Sequence, residues 1–293
     1  MASTSTLPSR TRTLIDAPAP LRFWHLSSLD APTVAVTWAL AFAWAAHIQL
    51  PLWVPVVLAL SAWTAYIGDR LLDAHRATAP LRPRHLFHWK YRRVFLPIAI
   101  AAAVIALALI LHSMPAAART RNTILVAAAL IYFTSVHSPW RPPRSEGARK
   151  LRIPKELMVG VLFTLACAAP TWARTPAHRA ELIAPILCFT ALAWLNCHAI
   201  ECWESANSTP MPRSLAPLQL AAVLGVVTLL FALSAAALHR PRLAAFLLAG
   251  SFSALLLAIL DHYRHRLTPT ALRAAADLVL LTPLPLVAIG MLR

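Results

Sequence analysis

Two aspartates at the end of an apolar run have the type and spacing for metal chemistry. The run ends in WTAYIGDRLLDAHR, so Asp69 and Asp73 follow Tyr66, and Arg70 lies between them. On a helix, side chains four residues apart share a face, and two neighbouring carboxylates repel unless positive charge lies beside them. Mg²⁺ prefers carboxylates together with phosphate oxygens. The pair indicates a Mg²⁺ site; the alternative is that Asp69 pairs with a nearby arginine and Asp73 is solvated.

A second acidic pair ends a later apolar run. This run closes with WLNCHAIECWES, in which Glu201 and Glu204 are three residues apart and Asn196 lies about a turn and a half earlier. Glutamates at the end of a helix oppose its dipole, so a compensating positive group is expected. The pair is either a second set of metal ligands or a pair of glutamates at the water boundary.

The elements that must position these residues are membrane helices. The chain has 293 residues, of which 59% are hydrophobic and 13% charged, and its mean hydropathy is +0.62. Soluble domains carry about 25% charged residues. The apolar runs are long enough to cross about 30 Å of hydrocarbon as helices, and they lack the alternation of barrel strands. The sequence therefore predicts an all-α, polytopic membrane bundle.

Nine apolar segments are predicted to span the membrane. Residues 1–20 are expected to be a disordered cytoplasmic tail, and residues 21–293 a single membrane-embedded domain. Within that domain, residues 21–29 suit a short interfacial helix, and residues 81–93 an amphipathic segment that lies on the membrane or caps a cavity. The predicted spans are 31–50, 52–67, 94–111, 123–136, 154–172, 182–200, 218–238, 243–260 and 274–292.

The basic residues predict the orientation. With nine spans and a cytoplasmic N-terminus, 20 of the 27 Lys and Arg residues fall on the cytoplasmic side, which favours a C-terminus outside. The same clustering accounts for the net charge of +16 without nucleic acid, since basic loops between apolar runs are typical of orientation signals and lipid contacts. Both acidic pairs then lie at the cytoplasmic ends of their helices.

The arrangement resembles the UbiA superfamily of intramembrane prenyltransferases. That family has nine helices and two acidic motifs after helices 2 and 6, and its first motif is of the form NxxxDxxxD. Asp69 and Asp73 match this motif, and Arg82 with the following proline matches an R-P dipeptide of the family. Lys155 resembles a basic residue at the start of helix 5. The chain departs from the pattern at Ala65, where the motif has Asn, and in the glutamates of its second motif.

The resemblance implies a fold, a reaction and a site. It implies a UbiA-like enzyme of a bacterial inner membrane that transfers an isoprenyl group from a prenyl diphosphate to an aromatic or lipid acceptor, with Mg²⁺. Asp69, Asp73, Glu201 and Glu204 would hold the metal, and Arg70 and Lys155 would act with them in catalysis. The residues implied in substrate binding are Tyr66, Arg82, Trp194 and Asn196.

A non-enzymatic function is the alternative. The glutamates of the second motif and the missing Asn also suit a catalytically eroded relative that acts as a transporter or a lipid-binding scaffold. A transporter ordinarily shows internal repeats or helices broken by Gly and Pro in matching halves. The chain shows no convincing repeat and has only 6 Gly, which favours the enzyme.

Overall fold

The computed structural model describes residues 14–77, 80–137, 154–205 and 216–291. These residues are helical apart from turns and one backbone bridge between Ile15 and Leu267, which confirms the all-α class. The helices in chain order are α1 (Ala19–Leu26), α2 (Asp30–Ala45), α3 (Trp53–Arg76), α4 (Pro83–Lys90), α5 (Arg92–Ser113), α6 (Ala116–His137), α7 (Lys155–Arg174), α8 (Arg179–Ser205), α9 (Pro217–Ala237), α10 (Pro241–Tyr263), α11 (Pro269–Leu278) and α12 (Leu284–Met291).

The exposed faces of these helices are apolar. Within the described residues, six helical segments are long and apolar enough to span a membrane, or seven if α1 and α2, bent by 87°, count as one. On α5, Leu96, Ile100 and Leu107 are each more than half exposed. A soluble protein rarely exposes a continuous apolar patch of this kind. Each of the nine predicted segments overlaps a helix, but α3 and α6 are absent even from the count of seven, so the number nine remains a prediction.

α2 forms the centre of the bundle. It packs against α3, α7, α10 and α12, and Trp38 and Phe42 on it are almost fully buried. The Trp38 ring stacks on Phe189 of α8 at 4.1 Å between centroids and meets Phe246 of α10 edge-on at 5.3 Å. This aromatic cluster fixes the distance between three helices and holds the N-terminal end of α2, where Asp30 lies, inside the protein.

A sharp corner joins α1 to α2. Ser28 lies in the left-handed region with a φ of 56°, which is uncommon for a residue other than glycine. Neighbouring side chains hold the corner: the Ser27 hydroxyl donates to the carbonyl of Phe23 at 2.7 Å, and Trp63 Nε1 donates to the carbonyl of Ser27 at 3.0 Å. The corner places His25 of α1 beside the first turn of α2.

The last span is broken next to an acidic residue. α11 ends at Leu278, a 3-10 turn follows, and α12 begins at Leu284. Hydroxyl and indole groups satisfy carbonyls at the break, as lipid requires: Ser253 donates to Val279 at 2.8 Å, and Trp38 Nε1 donates to Leu280 at 2.8 Å. Asp277 therefore sits in the final turn of α11, where the backbone is held by neighbouring helices.

The described part of the chain begins earlier than the predicted membrane domain, at residue 14 rather than residue 21. Residues 14–18, which the sequence assigns to the tail, lie along the segment before α11. The amide of Ile15 donates to the carbonyl of Arg266 at 2.8 Å, and the amide of Thr268 donates to the carbonyl of Ile15 at 2.9 Å. The Thr268 hydroxyl also donates to Asp16 at 2.8 Å. Of the rest of the predicted tail, residues 19 and 20 begin α1, and residues 1–13 lie outside the described residues.

Candidate functional site

The end of α3 carries the first acidic pair. The Asp69 and Asp73 side chains are 36% and 46% exposed, so both carboxylates can be reached from solvent. Arg70, the residue after Asp69, is buried, and its Nη1 donates to Asp69 Oδ2 at 3.1 Å. The Arg70 guanidinium lies 5.5 Å from the centre of the Tyr66 ring, and its buried Nε has no hydrogen-bond partner among the described residues. Arg70 is therefore only partly compensated.

α4 lies across the ends of α1 and α3 with its polar face inward. Proline at the first position suits a helix start, and Arg84, His85 and His88 are buried while Leu86 is 54% exposed. His88 Nδ1 donates to the carbonyl of Arg84 at 2.8 Å. The predicted amphipathic segment is thus a short helix with charge towards the protein, as expected of a segment that caps a cavity.

Glu204, at the end of α8, is surrounded by arginines. It forms ion pairs with Arg82 and Arg273, and Arg84 Nη1 lies 3.6 Å from Glu204 Oε1. These three arginines come from the loop before α4, from α4 and from α11. The expectation that a positive group compensates this helix end agrees with the geometry. A direct metal bond to Glu204 would require it to exchange these ion pairs for the metal.

Arg84 is a cation with too little counter-charge. Burial, and then the charge of Arg70, lower the pKa of Arg84 to about 9, whereas Glu204 acts in the opposite direction. Its Nη1 has no hydrogen-bond partner among the described residues. Since an arginine remains protonated at neutral pH, this environment would be stabilised by an added anion.

His85 is neutral at physiological pH. Burial and the charges of Arg84, Arg70 and Arg82 lower the pKa of His85 to about 3. Arg84 Nε points to His85 Nε2 at 3.4 Å, so Nε2 accepts and the ring proton lies on Nδ1. Asp73 Oδ2 is 3.6 Å from the same Nε2, and this contact is not an ion pair while the ring is neutral. Burial and then the neighbouring arginines, rather than Asp73, therefore keep His85 neutral.

We expect acid to destabilise the wild-type protein more than a His85→Gln variant. The unfolded chain binds a proton at His85 near its ordinary pKa of 6.5, and the folded protein only near pH 3. Between these values the unfolded state holds more protons, so stability falls as the pH falls. Melting temperatures of the two proteins in detergent, followed by tryptophan fluorescence from pH 7 to pH 4, should converge with acid. Parallel curves would contradict the neutral His85.

The other predicted site residues lie on α7 and α8. Lys155 Nζ, 59% exposed in its side chain, is 3.7 Å from Glu201 and 3.8 Å from Glu156. Trp194 stacks on His198 at 5.6 Å, and its backbone packs so closely on Gly160 that a Cβ there would lie 2.8 Å from the Trp194 nitrogen. The structure therefore links Glu201 to Lys155 and Glu204 to arginines. No group of three potential metal ligands among the described residues contains either glutamate.

A cluster that the sequence reasoning missed lies at the α1–α2 corner. His25 Nδ1 is 2.7 Å from Asp30 Oδ2 and 3.6 Å from Asp277 Oδ2, and Asn196 Nδ2 donates to Asp277 Oδ1 at 3.3 Å. The sequence favours a pair between Asp277 and Arg273, four residues apart on α11. That interpretation is wrong, because Arg273 reaches Glu204 instead. Asp277, an acidic residue within a predicted membrane span, is the feature of the sequence that could have indicated this cluster.

A basic cavity of about 390 Å³ lies beside Glu204 and its arginines, and His25 also lines it. Four arginines and two histidines line it, with Glu204 as the acidic lining residue. These basic lining residues are Arg82, Arg84, Arg264, Arg273, His25 and His265. A cavity of this size and charge suits the phosphate groups of a ligand.

No family model, curated protein or solved structure matches the chain. Its function must therefore be inferred from its own residues. Those residues offer two chemistries: a solvent-accessible aspartate pair beside an arginine cluster, and a His–Asp–Asp cluster whose histidine, His25, also lines the basic cavity.

Proposed function

We propose that the protein is a Mg²⁺-dependent membrane prenyltransferase, which transfers an isoprenyl group from a prenyl diphosphate to an aromatic or lipid acceptor. The observation that carries the proposal is the excess of arginine next to the aspartate pair. Arg82, Arg84 and Arg273 share the single carboxylate of Glu204, and Arg70 is buried beside Asp69. Arginine is the side chain best suited to hold phosphate groups by paired hydrogen bonds.

The aspartate pair fits one Mg²⁺ ion. Mg²⁺ keeps several waters and is commonly held by one or two carboxylates plus substrate phosphates, and Asp69 and Asp73 present accessible oxygens on one helix face. Bound Mg²⁺ would neutralise diphosphate oxygens and so favour ionisation of the allylic C–O bond. Metal binding by Glu201 and Glu204 remains a prediction. Each glutamate already has a basic partner, which it would have to exchange for the metal.

In the proposed mechanism, the arginines would bind the oxygens of the diphosphate. Arg84 and Arg70 have buried nitrogens without hydrogen-bond partners among the described residues, so oxygens of the diphosphate would satisfy them. Arg82 lines the cavity, and its side chain is 52% exposed, so it can change its orientation to contact the ligand. Fixed positive charge where negative charge develops on the leaving group lowers the barrier most.

The remaining predicted residues would act around the isoprenyl chain and the leaving group. The side chain of Lys155 is mostly exposed and can turn from Glu201 towards the diphosphate. Tyr66 and Trp194 offer aromatic faces, which stabilise cations. The Arg70 guanidinium already lies 5.5 Å from the centre of the Tyr66 ring. Asn196 is the exception, since its amide is directed to Asp277. The proposed arrangement keeps the N-terminus in the cytoplasm of a bacterial cell.

A non-catalytic function is the second candidate. The observation that favours it is the set of ion pairs around Glu204, in which arginine side chains already compensate this carboxylate. A catalytically eroded relative would use the same arginines to bind a phosphorylated lipid without cleaving it, as a scaffold or transporter. The two candidates share the binding site and differ in turnover.

Pyrophosphate release tests the proposal. The purified protein, in detergent, is given prenyl diphosphates of several lengths, aromatic and lipid acceptors, and Mg²⁺ or EDTA. We expect Mg²⁺-dependent release of pyrophosphate and a Mg²⁺-dependent rise in melting temperature. Binding without release would favour the scaffold, and the absence of both would overturn the two candidates together.

The same substitution at two different arginines, Arg84 and Arg240, tests the role of the arginine cluster. Losing one charged hydrogen-bond donor in a buried site costs about 1.5–3 kcal/mol, so Arg84→Gln is expected to weaken diphosphate binding by about 10- to 100-fold. Arg240 forms its ion pair with Glu181 at 3.1 Å, away from the arginine cluster. Arg240→Gln should leave binding unchanged, and equal losses in both variants would contradict a specific role for Arg84.

A further inference from the structure

The cluster at the α1–α2 corner has the geometry of a metal site. His25 Nδ1, an oxygen of Asp30 and an oxygen of Asp277 all lie within 4.8 Å of one another. Two ligands bound to one ion at about 2.0–2.2 Å lie at most about 4.4 Å apart, and His25 Nδ1 is 2.7 Å from the Asp30 oxygen and 3.6 Å from the Asp277 oxygen. The three residues come from α1, α2 and α11, so the arrangement depends on the tertiary fold.

The charge of the cluster is unbalanced. The side chains of His25 and Asp30 are 5% and 4% exposed, and that of Asp277 is 21% exposed. Both carboxylates form their ion pairs with the same histidine, which can supply one positive charge at most. Buried charge is costly unless it is compensated. A divalent ion on two carboxylates and a neutral imidazole would leave no net charge.

Asn196 supplies an independent observation that points to a ligand. It is 5% exposed, and its Nδ2 donates to Asp277 Oδ1 while its buried Oδ1 has no hydrogen-bond partner among the described residues. A buried polar atom without a partner costs about 1–3 kcal/mol. A water bound to an ion on Asp277 would donate to this oxygen. The amide would at the same time orient the carboxylate, as outer-shell partners of metal ligands commonly do.

We propose that His25, Asp30 and Asp277 bind a divalent transition metal of the Zn²⁺ or Mn²⁺ type. The mixed set of one imidazole nitrogen and two carboxylates suits these ions, whereas Mg²⁺ and Ca²⁺ are bound mainly through oxygen. The ion would replace the proton shared between His25 and Asp30. This site is separate from the Mg²⁺ site proposed on Asp69 and Asp73, and it does not depend on the prenyltransferase proposal.

The ion would join the two ends of the chain beneath the basic cavity. His25 lines that cavity, Asp30 begins the central helix, and Asp277 lies just before the break in the last span. Metal binding would therefore fix the α1–α2 corner against α11. It would also add positive charge below the arginines, which favours an anionic ligand in the cavity.

Metal content tests this site. Protein purified in detergent, stripped with EDTA and dialysed against equal micromolar Zn²⁺, Mn²⁺ and Co²⁺, is measured by mass spectrometry for metals. We expect about one ion per folded chain, with loss of the ion in His25→Ala and in Asp277→Asn. Asn196→Ala should weaken affinity by about 10- to 100-fold. A d–d absorption band of bound Co²⁺ gives a second readout that does not require activity.

The controls separate this site from the other carboxylates. Asp261 is also buried and accepts from Trp203 Nε1 at 2.6 Å, with Arg264 at 2.8 Å. Asp261→Asn and Asp69→Asn should both keep the ion, and native tryptophan fluorescence identifies variants that do not fold. Wild-type protein that binds no transition metal at saturation would overturn the proposal, as would ion retained by folded His25→Ala and Asp277→Asn.

Discussion

Replacing Asp69 with asparagine is expected to reduce Mg²⁺-dependent release of pyrophosphate by about 10²- to 10³-fold, the loss typical when one group that stabilises developing charge is removed. Asparagine has the same shape but no charge, so the pair with Asp73 would hold the ion with one carboxylate. The Asp69 side chain is 36% exposed, so the substitution should leave the fold intact. Pyrophosphate release against Mg²⁺ concentration is the measurement.

A second aspartate provides the control for Asp69. The Asp16 side chain is 53% exposed and lies 3.6 Å from Arg22, at the start of the described chain and away from α3. Asp16→Asn should release pyrophosphate at the wild-type rate. If Asp69→Asn keeps the wild-type rate and the same dependence on Mg²⁺, the aspartate pair does not hold the catalytic ion.

Glu204→Gln distinguishes the two interpretations of the second acidic pair. If Glu204 is a counter-ion for the arginines, its loss leaves Arg82, Arg84 and Arg273 with less negative charge, and diphosphate should bind more tightly with the same dependence on Mg²⁺. If Glu204 is a metal ligand, the Mg²⁺ concentration needed for activity should rise. We expect the first result, because the glutamate is already paired.

The membrane character and the acidic helix ends could be predicted from the sequence. Runs of apolar residues and their length determine where helices lie in lipid, and the exposed apolar faces of α5 agree with this. The four-residue spacing of Asp69 and Asp73 places both on one helix face. The compensating charge beside Glu204 could also be expected, because a carboxylate at the end of a helix needs a positive neighbour.

The partners across the fold could not be predicted. Arg273 has Asp277 four residues away on the same helix, and the local rule for helix pairs favours that contact. The tertiary structure instead directs Arg273 to Glu204 and Asp277 to His25. His25 lies in a short mixed segment with no pattern of its own, and its distance from Asp277 is set by the α1–α2 corner and the break after α11.

Replacing Trp38 with alanine is expected to lower the free energy of unfolding by about 3–5 kcal/mol, as for other large-to-small changes in a core. Trp38 is 1% exposed and contacts Phe189 and Phe246. Between membrane helices, packing rather than removal from water drives association, so the cavity left behind is the main cost. The substitution also leaves the carbonyl of Leu280 without its indole donor at 2.8 Å.

Trp38→Phe and Trp53→Ala separate these contributions. The phenylalanine keeps most of the ring packing and loses the donor to Leu280, so a smaller loss of about 1–3 kcal/mol is expected from the buried carbonyl. Trp53 is partly buried, with its ring 6.0 Å from the Arg174 guanidinium, and its removal should cost less than that of Trp38. Unfolding by sodium dodecyl sulfate in mixed micelles, followed by circular dichroism, measures all three. Equal losses in Trp38→Ala and Trp53→Ala would show that the aromatic cluster does not hold α2 in place, and the position of Asp30 would then need another cause.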